Sequence, residues 1–148
     1  MKKFLFYLCV TFFGLFLGGL FTNPGTSSEW YTSLSLAPWT PPGWVFGFAW
    51  TLIGVTWSVW AAQMCDTDKY VGQYCMIWAL NFAWNPLFFT LHQVEIAGVV
   101  IFVLLLHVTM SMFETYRDRG IAAASWALPY VLWLVVANSL NWFVVFAN

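Results

Sequence analysis

The sequence predicts an all-α integral membrane protein, a bundle of five transmembrane helices that forms a single domain over residues 1–148. Three observations favour this fold class. Hydrophobic residues make up 61% of the chain and charged residues only 7%, a composition that is unusual for a soluble domain. Apolar runs occur five times, each near the ~20 residues that a helix needs to cross a bilayer. The basic residues, finally, are distributed asymmetrically between the connections.

The five apolar runs are separated by turn residues, charges or both. The first run follows Lys2 and Lys3 in the manner of a secretory signal peptide, but it is long and lacks a small-residue cleavage pattern. We therefore interpret it as a retained helix. The predicted helices cover residues of about 4–22, 43–64, 72–91, 95–116 and 124–146, and the long connection 23–42 is predicted to be a lid loop.

The connections predict the orientation of the bundle. Alternating crossings place the N-terminus, the 65–71 loop and the 117–123 loop on one side of the membrane. All basic residues of the chain fall on that side, namely Lys2, Lys3, Lys69, Arg117 and Arg119. The positive-inside rule therefore predicts a multi-pass protein with a cytoplasmic N-terminus, in either an inner or an outer membrane.

Several function classes are disfavoured by the residues that the chain lacks. The net charge of −1 gives no basic surface for nucleic acid. No crossing is expected to hold an acid or base within the membrane, as ion transport usually requires. The three cysteines are widely spaced and suggest neither disulfides nor a metal site. No catalytic triad or phosphate loop is recognisable, so no cofactor is expected to be required.

The 23–42 connection is unusually long for a compact bundle and is rich in proline and aromatic residues. Loops of this length often act as lids or binding elements. Trp30 and Trp39 lie in it, and we interpret the segment as an aromatic lid on the non-cytoplasmic side. The alternative is that both indoles belong to the aromatic belt at the membrane interface.

The tryptophans and asparagines of the crossings predict a ligand pocket beneath this lid. Eleven tryptophans exceed what interfacial belts need, and indoles suit a planar aromatic or polycyclic ligand. Two asparagines on the third crossing have i, i+4 spacing, and two on the fifth have i, i+3 spacing. Bonding between helices is the alternative role for these amides. The half of the bundle beneath the lid would contain Trp50, Asn81, Trp84, Asn85, Asn138 and Asn141.

Three stretches of the chain carry a family resemblance. They are Trp39-Thr-Pro-Pro-Gly-Trp-Val-Phe-Gly47 with Ala49-Trp50, then Leu80-Asn-Phe-Ala-Trp-Asn-Pro-Leu-Phe-Phe89, and then Pro129-Tyr-Val-Leu-Trp133 with Ala137-Asn-Ser-Leu-Asn-Trp142. In this order they resemble the motifs of the translocator protein family, also called tryptophan-rich sensory proteins. The resemblance covers nearly the whole chain.

The resemblance implies a homodimer of five-helix subunits, surrounded by membrane lipid, that binds porphyrins such as protoporphyrin IX in a pocket closed by the first loop. It also implies a light-dependent breakdown of protoporphyrin. Trp50 and Trp133 would be the photochemical, catalytic residues, and we expect them on opposite sides of the cavity. The expected ligand-binding residues are Trp30, Trp39, Trp50, Asn81, Trp84, Asn85, Trp133, Ala137 and Asn138.

Two departures from the family pattern narrow the expected ligands. Ala37 occupies a position where relatives commonly carry a basic residue, so a propionate anchor is lost. The end of the fifth helix, from Trp142 to Asn148, lacks the tyrosine and basic residue of the sterol motif, which argues against sterol binding. We expect a receptor or binding protein for porphyrins and related apolar aromatic ligands. The alternatives are a light-dependent porphyrin-degrading oxidoreductase and a tetrapyrrole transporter.

Pairs of small residues at four-residue spacing are candidates for close helix contacts. Such contacts form either between subunits or within one chain. We expect a dimer to form through the alanine pair of the third crossing, with the first glycine pair as the next candidate. The pairs are Gly14 with Gly18, Gly43 with Gly47, and Ala79 with Ala83.

Overall fold

The computed structural model describes residues 1–148 and contains helices but no strands. Short helices occur in two of the connections, and the second of them runs through the 3-10 turn Ser125–Ala127 into the last long helix. In chain order the helices are α1 (Lys2–Thr26), α2 (Glu29–Ser33), α3 (Gly43–Met64), α4 (Asp68–Phe89), α5 (Val94–Arg119), α6 (Ile121–Ala124) and α7 (Leu128–Ala147).

Four helical segments are long and apolar enough to cross a membrane, so the chain is an all-helical, multi-pass membrane protein. They are Lys2–Thr26, Gly43–Met64, Val94–Arg119 and Ile121–Ala147. Helix α4 equals α3 in length at 22 residues but is not among the four. Its first turns contain Asp68, Lys69 and Gln73, and its second half contains Asn81 and Asn85. These polar side chains lower its hydropathy, so the predicted count of five crossings is not confirmed.

The long helices form a closed ring. Helix α1 contacts α3 and α4, α4 contacts α5, α5 contacts α7, and α7 returns to α3. The interior of this ring is filled by aromatic and aliphatic side chains. Those that are almost completely buried include Trp57, Trp60, Ile77, Leu104 and Tyr130.

Helix α1 turns its small and polar residues inward and its large apolar residues outward. Thr11, Gly18 and Gly25 are buried, whereas Phe13 and Phe16 are exposed. This arrangement is expected for a helix that faces lipid, because hydrocarbon solvates phenylalanine and because small residues allow helices to approach closely.

The Gly14 and Gly18 pair packs α1 against α4 within the chain. A Cβ atom added at Gly14 would lie 3.1 Å from the Trp78 ring, and one at Gly18 would lie 3.2 Å from the Asn85 amide. A Cβ atom added at Gly43 or Gly47 would have no neighbouring atom within 4 Å. The first glycine pair is therefore occupied by intramolecular packing.

Ion pairs gather the charged segments at one end of the bundle, which we call the basic end. Lys3 pairs with Asp66 in the connection between α3 and α4 and lowers the pKa of that carboxyl group. The Lys69 amine lies 2.9 Å from a Glu114 carboxylate oxygen and 3.5 Å from Asp118. The N-terminus, the α3–α4 connection and the end of α5 thus meet at the same end. Glu114 lies within α5 near its basic end, and Glu95 lies in the first turn of α5. Two acids therefore occupy the predicted crossing 95–116, one at each end.

The helix bounds differ from the sequence estimates where polar residues continue a helix. Helix α1 extends to Thr26 with Pro24 in its last turn, so residues 23–26 are helical and the lid begins later. Helix α4 begins at Asp68 because an acidic residue in the first turn favours a helix N-terminus. We define the lid as residues 27–42.

Candidate functional site

The first half of the lid is anchored on the end of α4. The Ser28 hydroxyl accepts a hydrogen bond of 3.2 Å from the Tyr31 backbone N–H and caps α2. Trp30 packs edge-to-face on Phe88, with ring centroids 5.7 Å apart. It also stacks on His92 at 3.9 Å. His92 has a left-handed backbone, with φ of 54°, and the stacked indole restrains its ring in this tight turn.

The second half of the lid crosses to α7. The Trp39 indole N–H donates to the Ser139 hydroxyl at 3.1 Å, and its ring packs edge-to-face on Phe143. The Ser35 backbone N–H donates to the Asn148 side-chain carbonyl at 2.8 Å. The lid therefore covers the bundle from α4 to α7, and we call this end the lid end. Trp39 is 55% exposed, so its contacts leave much of the indole free.

Beneath the lid, α3 and α7 bring four aromatic rings together, and we call these the indole cluster: Phe46, Trp50, Tyr130 and Trp133. Trp50 and Trp133 meet edge-to-face with centroids 6.5 Å apart. Phe46 packs on Trp133 at 5.1 Å, and Trp50 packs on Tyr130 at 6.1 Å. The expectation that Trp50 and Trp133 lie on opposite sides of a cavity is wrong, because their direct contact leaves no space for a ligand ring between them. Together they form one wall.

The amides of α4 bond to neighbouring helices. The Asn81 side-chain N–H donates to the Tyr130 hydroxyl at 2.6 Å, which ties α4 to the indole cluster. The Asn85 amide N–H donates to the Asn81 backbone carbonyl at 3.0 Å. Its carbonyl oxygen accepts from the Thr22 hydroxyl at 2.7 Å. Both asparagines are therefore engaged within the bundle, as in the alternative interpretation of these amides.

Trp84 and the amides of α7 link three helices. The Trp84 indole N–H donates to the Asn141 side-chain carbonyl at 2.9 Å, and the Asn141 N–H donates to the Val94 carbonyl at 2.9 Å. The Asn138 N–H donates to the carbonyls of Leu134 and Ile101. The Asn138 carbonyl oxygen is buried and has no hydrogen-bond partner. It is an acceptor that a ligand N–H could satisfy.

The structure separates the predicted site residues into groups. Trp50, Asn81 and Trp133 meet at the indole cluster. Trp30 and Trp84 belong to a second group around Phe88 and Phe89. A third group lies at α7. Asn138 and half-buried Ala137 belong to this helix, and Trp39 bonds to it. Asn85 packs toward α1.

Sequence reasoning missed Phe46 and Tyr130 as members of the site. Each lies inside a motif that was recognised, between residues 39 and 47 and between 129 and 133. Their spacing from a neighbouring tryptophan was the available signal, since residues three or four positions apart share a helix face. Phe46 precedes Trp50 by one turn, and Tyr130 precedes Trp133 by one turn.

Other polar features of the bundle do not assemble a metal site. No group of three or more His, Cys, Asp and Glu side chains is placed to hold a metal ion. The His107 Nδ1 atom lies 3.0 Å from the Val103 carbonyl of its own helix. At the basic end, a groove of about 480 Å³ is lined by Asp66, Arg119, Trp126 and neighbouring residues.

Comparison with known proteins matches almost the entire chain. The family model of the TspO/MBR family matches residues 6–147. The tryptophan-rich sensory protein of Cereibacter sphaeroides is 32% identical over 116 residues, which cover 76% of this chain and 73% of the relative. Protein CrtK of Rhodobacter capsulatus is 31% identical over 85% of this chain and 81% of its own length. The human translocator protein is 32% identical over 88% and 81%.

Proposed function

Since the chain belongs to the TspO/MBR family, we propose that it is a membrane receptor or binding protein for porphyrins and related apolar aromatic ligands, such as protoporphyrin IX. The indole cluster is the observation that carries this proposal. Trp50 and Trp133 form a continuous aromatic wall in the apolar interior. The lid carries tryptophans of its own, one of which bonds to α7. A flat polycyclic ligand gains contact area and favourable ring packing on such a wall.

One unpartnered carbonyl on α7 favours a ligand that carries N–H donors. The unpartnered Asn138 carbonyl lies on α7, as does Trp133. A buried acceptor without a partner costs about 1–3 kcal/mol, which a ligand hydrogen bond would recover. Pyrrole N–H groups meet this requirement. Access would follow release of the lid, because its contacts to α7 are exposed hydrogen bonds at Trp39 and Ser35.

Titration of the purified protein with protoporphyrin IX tests this function. We expect saturable dark binding, followed through the Soret band and through quenching of tryptophan fluorescence. Trp50→Ala should weaken binding because it removes half of the wall. Trp44→Ala is the matched control, since Trp44 lies on the same helix but is 72% exposed. The proposal fails if the protein shows no saturable binding, or if both variants bind like the parent.

A second function, light-dependent porphyrin oxidation, is favoured by the contact between Trp50 and Trp133. Indoles are readily oxidised aromatic side chains, and two in contact can share one positive charge. The protein's residues would hold the ring against these donors and limit the entry of water. Illumination of the titrated complex separates the two functions, because a receptor retains its Soret band and an oxidoreductase loses it.

We further propose that α4 is the fifth crossing and that the basic end faces the cytoplasm. Helix α4 lies in the ring between α1 and α5, and its length of 22 residues suffices to cross a bilayer. Its asparagines bond to other helices, which lowers the cost of placing them in the membrane. The basic residues at one end agree with the positive-inside rule.

Cysteine labelling in intact cells tests this orientation. In a chain whose native cysteines are replaced by serine, Ser33→Cys in the lid should react with an impermeant maleimide. Asp118→Cys at the end of α5 should react only after the cells are opened. Labelling of residue 118 but not of residue 33 in intact cells would reverse the topology, and labelling of both positions from outside would contradict a fifth crossing.

We propose a homodimer that forms through the outer face of α4. Ala79 is exposed and Ala83 is half-buried, so two copies of this helix could approach closely. Ala79→Leu with Ala83→Leu is expected to yield monomers in detergent, measured as particle mass by light scattering. Gly43→Leu with Gly47→Leu tests the other open pair of small residues, where an added Cβ would have no atom within 4 Å, and it should leave the dimer mass unchanged. An unchanged dimer mass in the alanine double variant would exclude this interface.

A further inference from the structure

A continuous series of aromatic rings runs through the interior from the indole cluster to the basic end. Successive ring centroids are 6.5, 6.1, 5.4, 4.2 and 6.0 Å apart. The receptor function described above uses only the first rings of this series. In order, the rings are Trp133, Trp50, Tyr130, Trp57, Trp60 and Tyr70.

The middle of the series consists of two stacked indoles that contact no base. Trp57 and Trp60 are completely buried and nearly parallel, with an interplanar angle of 7°. The Trp57 N–H has no hydrogen-bond partner, and the Trp60 N–H donates to the Thr115 hydroxyl at 2.9 Å. Because neither indole can transfer its proton to a base, each would lose and regain an electron without proton transfer. Stacking spreads the resulting charge over two rings.

The two tyrosines of the series differ in what surrounds their hydroxyl groups. Oxidation of a phenol to a neutral radical releases a proton. The Tyr130 hydroxyl accepts a hydrogen bond from the Asn81 amide, which is a donor in this contact and takes no proton. The Tyr70 hydroxyl instead donates to an Asp118 carboxylate oxygen at 2.7 Å. Tyr70 is therefore the ring of the series at which an oxidising equivalent would be trapped, while Tyr130 connects Trp50 to Trp57.

We propose that this series conducts oxidising equivalents from the indole cluster to Tyr70 at the basic end. An oxidant at the lid end removes one electron from Trp50 or Trp133. Electrons then move through Trp57 and Trp60 toward the oxidised ring until Tyr70 supplies the last electron and gives its phenolic proton to Asp118. The oxidant has gained one electron, and Tyr70 has lost one electron and one proton. A soluble one-electron donor of the thiol or ascorbate class then reduces the tyrosyl radical from the basic end, and Asp118 returns the proton to the phenol.

Conduction through the series is favoured because the rate of electron transfer falls steeply with distance. Several short steps between rings in contact are faster than one long step across the bundle. In the photochemical function, the excited bound porphyrin would be the oxidant and would pass the electron that it gains to dissolved oxygen. The superoxide formed beside the porphyrin would then oxidise the ring. The conduction itself requires only an oxidant next to Trp50, so it is testable without porphyrin.

The test uses the full chain in detergent with a tethered photo-oxidant. The native cysteines are replaced by serine, and Gly47→Cys is labelled with a ruthenium polypyridyl complex. Gly47 is exposed and unobstructed, and it lies one turn before Trp50 on α3. A light flash excites the tethered complex, and soluble ruthenium(III) hexaammine takes one electron from it. The oxidised tethered complex is then the oxidant. We expect transient absorption and electron paramagnetic resonance to detect a tyrosyl radical that forms after a tryptophan radical.

Three variants locate the conducting rings. In Tyr70→Phe the tyrosyl signal should be largely lost and the tryptophan radical should persist. Asp118→Asn should lower the tyrosyl yield while Tyr70 remains, because the proton acceptor is removed. Tyr116→Phe, at an exposed tyrosine of α5, is the control and should behave like the parent. An undiminished tyrosyl signal in Tyr70→Phe would overturn the proposal.

Trp57→Phe tests the interior step directly. It should slow formation of the tyrosyl radical while the tryptophan radical at the lid end accumulates. Comparing its thermal melting with that of the parent excludes a folding defect as the cause. A correctly folded Trp57→Phe protein with the parent rate would overturn conduction through the stacked pair. Neither result depends on porphyrin binding, so failure here is distinguishable from failure of the receptor function.

Discussion

Phenylalanine at position 50 or 133 is expected to slow the light-driven loss of the porphyrin Soret band by roughly tenfold, equivalent to about 1.4 kcal/mol in the barrier. Phenylalanine keeps most of the stacking area of the indole, so dark binding should change little. It is much harder to oxidise than tryptophan, so electron donation to the excited ring should be lost. The measurement is Soret absorbance against time under fixed illumination, with a dark titration of each variant.

The contact between Trp50 and Trp133 predicts how the double variant will behave. Because the rings touch, with centroids 6.5 Å apart, they should act as one unit, and the double variant should be little worse than either single one. Trp44→Phe removes an exposed indole from α3 and should degrade porphyrin at the parent rate. If the Trp50 and Trp133 variants also keep the parent rate, these indoles serve packing and binding alone.

Alanine at position 25 is expected to destabilise the protein and loosen the lid. A Cβ atom there would lie 2.5 Å from Phe89 Cβ and Cδ1, and Phe89 Cβ cannot move away without its backbone. Overpacking of this kind costs about 1–3 kcal/mol. Phe89 also packs against Tyr31 of the lid, so the strain should reach the lid anchor. We expect a lower melting temperature in detergent and faster ligand dissociation.

Gly47→Ala is the matched control for this stability prediction. Position 47 is also helical but has no atom within 4 Å of an added Cβ. Alanine there should leave the melting temperature unchanged or raise it, because alanine is favoured over glycine in a helix by about 1 kcal/mol. Equal melting temperatures for the parent, Gly25→Ala and Gly47→Ala would mean that α1 and α4 do not meet as closely as the structure indicates.

Much of the fold followed from composition and the order of the apolar runs. The all-helical membrane class could be predicted because so few charged residues cannot cover a soluble surface, and because a bilayer requires helices of a certain length. The family was recognisable from three short motifs, and the comparisons confirm it. The count of five crossings was less secure, since the polar residues of α4 reduce its apolar signal.

The site was only partly predictable. Alternating crossings predicted Trp50 and Asn81 beneath the lid, and the family resemblance added Trp133, but neither argument indicated that the two indoles touch. Nor did either argument indicate that the Asn81 amide bonds to Tyr130, or that Asn85 bonds to Thr22. In each case two partners on different helices share a hydrogen bond or a ring contact.

The sequence by itself determined the helical class, the family, the segregation of basic residues and the residues that carry aromatic or amide chemistry. These properties are local, because they depend on which side chains follow one another along a helix. Only the tertiary structure decided that Gly14 and Gly18 pack α1 on α4 rather than a second subunit. It alone decided that Trp50 and Trp133 form one wall, and that rings from α3, α4 and α7 join into one series. The physical reason is that the spacing of residues in a helix fixes the direction of each side chain, whereas its partner depends on how the helices are ordered around the ring.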